Sequence, residues 1–120
     1  MKLANNFLSA TALAATSEAI AFGASVGLDM STMLDVLNAS SGRNTATSDK
    51  FVNHVATGRY ASGFANTLMA KDVELYRRAA GSQGTPRVFA DVAAEVWQRF
   101  AAAEGGADFT RIYPFVGRAS

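Results

Sequence analysis

The sequence has 120 residues, and 49% of them are apolar, which suits a single domain with a real core. Its 11 basic and 10 acidic residues leave a formal net charge of +1 and form no basic stripe, so nucleic acid is not expected as a partner. Cysteine is absent, which excludes disulfides and is compatible with the cytoplasmic location that we expect. The only histidine, His54, is interpreted as an ordinary surface residue, and no metal site is predicted.

The first predicted element is a long, alanine-rich helix between Leu3 and Val26. Its apolar residues recur at three- and four-residue steps along one face, with Leu13 and Ile20 on a second flank. The residues of that first face are Leu3, Phe7, Ala10, Ala14, Ser17, Ala21 and Ala24. Polar residues such as Glu18 interrupt the stretch, which argues against a membrane-spanning segment and for a buried helix that ends near Gly27.

Two shorter helices are predicted next. Asp29 or Ser31 can cap the first of them, which should run to about Ala39. The residues expected to face inward are Met33, Leu34, Val36 and Leu37. Residues 43–48 are polar and are predicted to form a loop, after which a short helix covers residues 49–55.

Two longer helices are predicted in the second half of the chain. The first covers residues 64–80 and should end at Gly81. The second should have Pro86 in its first turn, where a missing N–H is tolerated, and continue to about Ala103. Its apolar stripe is predicted to consist of Val88, Phe89, Val92, Val96 and Phe100.

The last predicted helix is short. Asp108 can cap it, and it should end before Pro114. No segment shows the apolar–polar alternation of a strand, and no linker divides the chain. The sequence therefore predicts one all-α domain, a bundle of about six helices.

The opening residues, Lys2-Leu3-Ala4-Asn5-Asn6, are the first candidate site. Residues four apart share one face of a helix, so Lys2 and Asn6 can both address one substrate oxygen. An ammonium group in this position can act as a general acid toward a carbonyl, or as a base toward an alcohol in its deprotonated form. Taken alone, the spacing favours a solvated lysine at the start of a helix.

The second candidate site lies between Gly63 and Asp72. Phe64, Leu68 and Asp72 fall four residues apart, and Lys71 lies beside that stripe. Lys71 can meet a phosphate or a nicotinamide amide oxygen, and Asp72 can orient a cation. Taken alone, this pattern favours a helix with apolar core residues and a solvated charge pair.

A third candidate is the helix-ending loop Ser40-Ser41-Gly42-Arg43. The Arg43 guanidinium and the Ser41 hydroxyl can receive a carboxylate, although most such loops only terminate helices. No G-x-G-x-x-G loop follows a strand, so the sequence contains no predicted phosphate cradle of that type.

In their order and intervals, these motifs resemble the C-terminal part of the 3-hydroxyisobutyrate dehydrogenase family. This family belongs to the β-hydroxyacid dehydrogenases, which are related to 6-phosphogluconate dehydrogenase. The resemblance covers essentially the whole chain. The motifs that carry it are Lys2-x-x-Asn5-Asn6, Gly27-Leu28-Asp29, Leu37 to Arg43, Gly63-Phe64, Leu68 to Asp72 and Asp108-Phe109. It implies that residues 1–120 form the helical C-terminal domain of such an enzyme.

The resemblance implies a role for each motif. Lys2 would be the catalytic acid/base, which protonates the substrate oxygen as NADH delivers hydride to the carbon. Asn6 and its neighbour Asn5 would hold the substrate, a small hydroxy acid. Lys71 would contact the cofactor, which is NAD by family default, with NADP left open.

Two further positions match residues that shape the active-site side of this domain in the family. Phe64 and Asp72 are accordingly predicted to bind the substrate, whereas Arg43 and Ser41 are weaker candidates for substrate or interface contacts. Hydroxyisobutyrate, tartronate semialdehyde and other small hydroxy acids stay open as substrates.

The family's Rossmann domain is absent from this sequence. Lys2 is the second residue, where helices fray, so we expect the isolated chain to bind cofactor weakly and to be inactive. The expected partners are the missing Rossmann domain and further copies of the chain in a homo-oligomer, with no membrane partner. The alternative interpretation is a non-catalytic helical dimerisation or interaction module.

Overall fold

The computed structural model describes residues 1–118, and its regular elements are helices. They are α1 (Lys2–Ser25), α2 (Met30–Asn38), a π-helix (Ala46–Val55), α3 (Asn66–Gln83), α4 (Val88–Ala103), a 3-10 segment (Phe109–Arg111) and α5 (Ile112–Arg118). The 3-10 segment leads directly into α5, so that together they form a sixth helical unit. The described residues contain no strand, and one isolated antiparallel bridge joins Ala65 to Asp108. The predicted all-α bundle of about six helices is confirmed.

The central element of the bundle is α1, which packs against α2, the π-helix, α3, α4 and α5. Its most buried stripe includes Ala10, Leu13, Ser17 and Ile20, which are three or four residues apart. The predicted stripe was rotated relative to this one, since Leu13 and Ile20 were assigned to a flank and Ala24 is exposed. An alanine-rich helix has apolar residues on several sides, so its periodicity does not single out the buried side.

By length and composition, α1 would also be able to cross a membrane. Core helices of soluble proteins satisfy the same test. In the structure α1 contacts the other helices of the bundle with one side, and only a third of its most apolar stretch is buried.

Both ends of the α1–α2 connection follow the predicted chemistry. Gly27 has a φ of 91°, and its N–H donates to the Ala24 carbonyl (3.1 Å) while the next N–H reaches Gly23 (2.9 Å), which closes α1. Asp29, rather than Ser31, caps α2 by accepting a hydrogen bond from the Thr32 N–H.

Two predictions in the region that follows were wrong. Val36, which was expected to face inward, is 59% exposed, whereas Met33 and Leu34 are buried. The π-helix begins at Ala46, inside the predicted loop, because the Asn44 side-chain oxygen accepts from the N–H groups of Ala46 (2.7 Å) and Thr47 (3.2 Å). An asparagine cap thus starts the helix earlier than the apolar pattern indicates.

The bounds of α3 also differ from those predicted. The helix begins at Asn66, so Phe64 lies before it, and it ends at Gly84, which adopts the left-handed conformation (φ 69°), rather than at Gly81. Leu68, the apolar residue in the middle of the predicted stripe, is 50% exposed, and Leu75 on the same helix is 40% exposed.

The orientation of α4 departs most from its predicted stripe. The helix begins at Val88, so Pro86 lies just before it rather than in its first turn. Val88, Phe89 and Val92 are 71%, 76% and 60% exposed, whereas Trp97 is completely buried. The buried residues of α4 are Ala90, Ala93, Ala94, Trp97 and Phe100. Large apolar residues on the first turns of α4 are therefore left facing outward.

The last helix begins as predicted but extends further. Asp108 caps the 3-10 segment by accepting from the Thr110 N–H. Pro114 does not end α5, because it is only the third residue of that helix, where no intrahelical donor is needed.

Candidate active site

A side-chain hydrogen bond joins the beginning of α1 to α3. Asn6 Nδ2 donates to the Asp72 carboxylate at 2.7 Å, and both residues are half-buried although they lie 66 residues apart in sequence. Next to it, the rings of Phe7 and Tyr76 stack with centroids 4.4 Å apart and planes inclined by 4°. The two contacts hold the first turns of α1 against the middle of α3. The K-x-x-N-N and L-M-A-K-D motifs are thereby brought together.

Two exposed lysines flank this contact. Lys2 precedes Asn6 by four residues, about 6 Å along the axis of α1, and Lys71 immediately precedes Asp72, about 1.5 Å along the axis of α3. Neither ammonium group forms an ion pair within residues 1–118. We call Lys2, Asn6, Lys71 and Asp72 the Asn6–Asp72 site. It combines a fixed amide and a carboxylate with two lysines at nearby positions of the same two helices.

The orientation of the Asn6 amide follows from its neighbours. A carboxylate only accepts hydrogen bonds, so the amide must present its NH2 group to Asp72. Its carbonyl oxygen then accepts from Asn5 Nδ2 at 3.3 Å. One N–H of Asn6 and the side-chain carbonyl of the exposed Asn5 form no hydrogen bond within residues 1–118, and the predicted substrate contacts of the two residues stay a prediction.

Phe64 lies in the loop before α3. The predicted helical stripe of Phe64, Leu68 and Asp72 was therefore wrong, because only the last two residues are on the helix. The half-buried Phe64 ring instead meets the Phe109 ring edge-on, with centroids 5.5 Å apart. Phe64 thus belongs to the N-terminal end of α3, two residues before the helix that carries Lys71 and Asp72.

The structure separates the third candidate from the Asn6–Asp72 site. Arg43 and Ser41 are exposed in the turn after α2. The neighbouring Asn44 donates to the Thr16 hydroxyl at 3.3 Å, and Thr16 is ten residues, or about 15 Å, along α1 from Asn6. A direct substrate contact by Arg43 at the Asn6–Asp72 site receives no support from this arrangement.

The Phe7–Tyr76 stack was not predicted from the sequence. A signal was present, because one aromatic residue directly follows K-x-x-N-N and another lies four residues after Asp72. Aromatic residues at these positions fit equally well with core packing, so the pairing becomes evident only once α1 and α3 are placed side by side.

The fold is an all-helical domain with a candidate site between α1 and α3, and comparison with known proteins identifies its family as one of dehydrogenases. Residues 1–116 match the family described as "NAD-binding of NADP-dependent 3-hydroxyisobutyrate dehydrogenase". The chain belongs to this family, as its motifs predicted.

Similar proteins agree with this assignment. The human mitochondrial 3-hydroxyisobutyrate dehydrogenase is 35% identical over 96% of this chain and 36% of its own length. The solved 3-hydroxyisobutyrate dehydrogenase of Mycobacterium tuberculosis with L-serine superposes with a TM-score of 0.88 at 25% identity, over 96% of this chain and 42% of that one. Psf3 in complex with NADP+ and 2-OPP gives a TM-score of 0.82 at 28% identity, over 96% and 40%.

These comparisons confirm the predicted fold, and the predicted NAD(P) cofactor class agrees with both the family description and the NADP+ in the Psf3 complex. The chain spans about a third of the length of the curated relatives that it matches.

Proposed function

We propose that this chain is the helical C-terminal domain of a cytoplasmic NAD(P)-dependent dehydrogenase that acts on a small 3-hydroxy acid, with Lys2 as the catalytic acid/base. The observation that supports it best is the 2.7 Å hydrogen bond from Asn6 to Asp72, which unites two motifs of the family in one place. A Rossmann domain would complete the site from the other side, so the 120-residue chain alone should be inactive.

The proposed chemistry assigns one proton transfer to this chain. The nicotinamide cofactor, when bound, takes or supplies the hydride at the substrate carbon. Lys2 Nζ takes the hydroxyl proton during oxidation and returns it to the carbonyl oxygen during reduction. Asn6, with its amide held by Asp72, presents its free N–H to the substrate.

Lys71 fits the proposed cofactor contact. Its ammonium group is exposed and forms no ion pair within residues 1–118. A cation in this state is free to meet a phosphate or an amide oxygen. Phe64 lies in the loop directly before the same helix and is half-buried against Phe109.

The proposal can be tested by assembling the chain with a nucleotide-binding domain of its family and measuring NAD(P) reduction with short 3-hydroxy acids. Lys2→Ala should lower kcat by about 10²- to 10⁴-fold, the usual contribution of a general acid or base. Lys50→Ala is the matched control, because Lys50 pairs with Asp49 on the π-helix (3.3 Å) and should leave the rate unchanged. Full activity after Lys2→Ala would refute the acid/base assignment.

A second candidate function, self-association, is favoured by an exposed apolar surface. The window of α1 that would span a membrane is only 33% buried. Ala15 of α1 lines one groove with Phe89 and Val92 of α4, together with the exposed Glu18. We call the exposed apolar residues of α1 and of the start of α4 the α1–α4 face; they are Leu8, Ala15, Ala19, Phe22, Val88, Phe89 and Val92, of which Ala19 and Phe22 also line a groove with α2.

The pattern along α1 is self-complementary. Leu8 and Phe22 each lie seven residues from Ala15, which is about two helical turns. An antiparallel second copy centred on Ala15 would place Leu8 against Phe22, with small residues between them to allow close approach. Such self-complementarity is what a two-fold interface requires, and it supports the proposed homo-oligomer. A chain that self-associates but stays inactive with a nucleotide-binding domain would instead be the non-catalytic module.

A further inference from the structure

We propose that Asp108 is a positioning residue for the Asn6–Asp72 site. Its carboxylate ties the Ser62–Gly63 turn to the last helical unit, and in this way it fixes Phe64 and the start of α3. The inference rests on the proposed function, since this position affects catalysis only if Phe64 and α3 contribute to the site.

The carboxylate of Asp108 gathers donors from two distant segments. The Ser62 hydroxyl lies 2.9 and 3.0 Å from its two oxygens, and the Gly63 N–H donates to one of them at 2.9 Å. The Thr110 N–H donates at 3.1 Å, and the Thr110 hydroxyl adds a further hydrogen bond. Ser62 and Gly63 are 46 and 45 residues away in sequence, so these contacts clamp two separate parts of the chain together.

The backbone next to the carboxylate is fixed as well. The Phe109 N–H donates to the Phe64 carbonyl at 2.7 Å, and the Asn66 N–H donates to the Ala107 carbonyl at 2.8 Å. These two bonds form the antiparallel bridge between Ala65 and Asp108. Because its ring also packs on Phe109, Phe64 is held through both its backbone and its side chain.

A second side chain fastens the start of α3 to the same segment. Asn66, the first residue of α3, is completely buried. Its Nδ2 donates to the Glu104 carbonyl, and its Oδ1 accepts from the Gly106 N–H, both at 2.9 Å. Since Lys71 lies five residues further along the same rigid helix, the position of this segment sets where α3 presents it.

An ordinary helix cap does not need these distant contacts. Asp29 has the same role at α2, and its carboxylate contacts only the N–H and hydroxyl of Thr32, at 3.2 and 3.4 Å. Asp108 forms the same local cap on Thr110, and its carboxylate also accepts hydrogen bonds from Ser62 and Gly63. Burial raises the pKa of Asp108, but the hydrogen bonds from these donors outweigh it and hold the pKa below its ordinary value of 3.8. Asp108 therefore forms these hydrogen bonds as an ionised carboxylate.

Three variants distinguish the contacts of Asp108 with Ser62 and Gly63, which we call the clamp, from its local cap on Thr110. Asp108→Asn removes the charge and one acceptor oxygen, and Ser62→Ala removes a distant contact while leaving the cap on Thr110 intact. Ser62→Thr keeps the hydroxyl and should restore the behaviour of the unaltered chain. Asp29→Asn is the matched control, since it makes the same change of side chain at an equivalent cap that makes no contact with the 62–66 segment.

The first measurement is amide hydrogen exchange in the 120-residue chain. Exchange at Gly63, Asn66 and Phe109 should become about tenfold faster in Asp108→Asn and Ser62→Ala, relative to the core amide of Val73, because the clamp stabilises the closed segment. Asp29→Asn and Ser62→Thr should leave these amides unchanged. Unchanged exchange in Asp108→Asn would overturn the inference.

The second measurement is steady-state kinetics in the enzyme assembled with a nucleotide-binding domain. Asp108→Asn and Ser62→Ala should lower kcat about tenfold, with a smaller change in KM, because misplacing positioning groups costs rate. A purely structural role predicts that Asp108→Asn and Asp29→Asn affect kcat equally at matched stability, and that result would overturn the inference. If Lys2→Ala retains full activity while Asp108→Asn alters exchange, the proposed function fails and the fixation of Phe64 stands.

Discussion

The contact between Asn6 and Asp72 holds the candidate site together, and its strength can be measured with a double-mutant cycle. The variants are Asn6→Ala, Asp72→Ala and the double variant. Single substitutions alone would mislead, because alanine raises the helix propensity of each position by up to about 0.7 kcal/mol. The cycle cancels that contribution and leaves the coupling between the two side chains.

The expected coupling follows from the geometry. A hydrogen bond to a charged group contributes about 1.5–3 kcal/mol when it is shielded from water. The 2.7 Å distance is short, but both side chains are half-buried, so water competes for the carboxylate. We therefore expect a coupling of about 1 kcal/mol, which shifts the urea midpoint by roughly 0.5 M for a domain of this size.

The chain supplies a matched control for this cycle. Asn53 Nδ2 donates to the Asp49 carboxylate at the same 2.7 Å, but this pair is exposed and spans a single turn of the π-helix. Its coupling should be about 0.2–0.5 kcal/mol, as for other local polar pairs on helices. Equal coupling in the two cycles would refute the reasoning that the Asn6–Asp72 contact joins α1 to α3 more strongly than a surface contact would.

Three further predictions concern stability and association. Glu74 accepts hydrogen bonds from Arg77 and Arg78, and the bond from Arg77 is the main cause that lowers the Glu74 pKa from 4.5 to about 2. These contacts should therefore stabilise the folded chain fully above pH 4.5, and this stabilisation should be lost as the pH falls toward 2. Urea unfolding of Glu74→Gln should match the unaltered chain only near the acid limit, and a pH-independent difference would contradict this. Trp97→Phe should cost about 2 kcal/mol in the free energy of unfolding, since it removes a buried hydrogen bond to the Ala10 carbonyl and leaves a cavity; a loss below about 0.5 kcal/mol would count against it. Phe89→Asp should weaken self-association at least tenfold by sedimentation equilibrium, whereas Val52→Asp, an exposed apolar control on the π-helix, should not, and a chain that is monomeric before substitution would exclude the α1–α4 face as an interface.

The helix content and the family were predictable because their signals are local. Caps at Asp29 and Asp108 and the glycine after α1 depend on residues a few positions apart, and the structure confirms all three. The orientation of the helices was less predictable. On α4, apolar residues lie on two sides, and only packing decides that Trp97 is buried while Phe89 faces outward.

In the candidate site, too, the local motifs were predictable and the contacts between distant segments were not. The resemblance named Lys2, Asn6, Lys71 and Asp72 as candidates, but no sequence pattern indicated that Asn6 would donate to Asp72 across 66 residues. Phe64 was placed on a helix by its four-residue spacing, whereas it lies outside the helix, directly before Ala65, which bridges to Asp108 in an extended conformation. Contacts between distant segments determine both outcomes, and periodicity carries no information about them.

The α1–α4 face and the Asn6–Asp72 site share the first turns of α1, and this bears on how Lys2 is held. A terminal helical turn frays when nothing packs on it, and Lys2 is the first residue of α1. Leu8, 66% exposed, lies only two residues after Asn6, so a second copy that covers Leu8 would press the same turns onto α3. The Asn6–Asp72 hydrogen bond and the Phe7–Tyr76 stack already hold these turns on α3. The second copy would pack on their solvent-exposed side. Self-association would then favour the proposed acid/base role, because it would order the helix that carries the lysine.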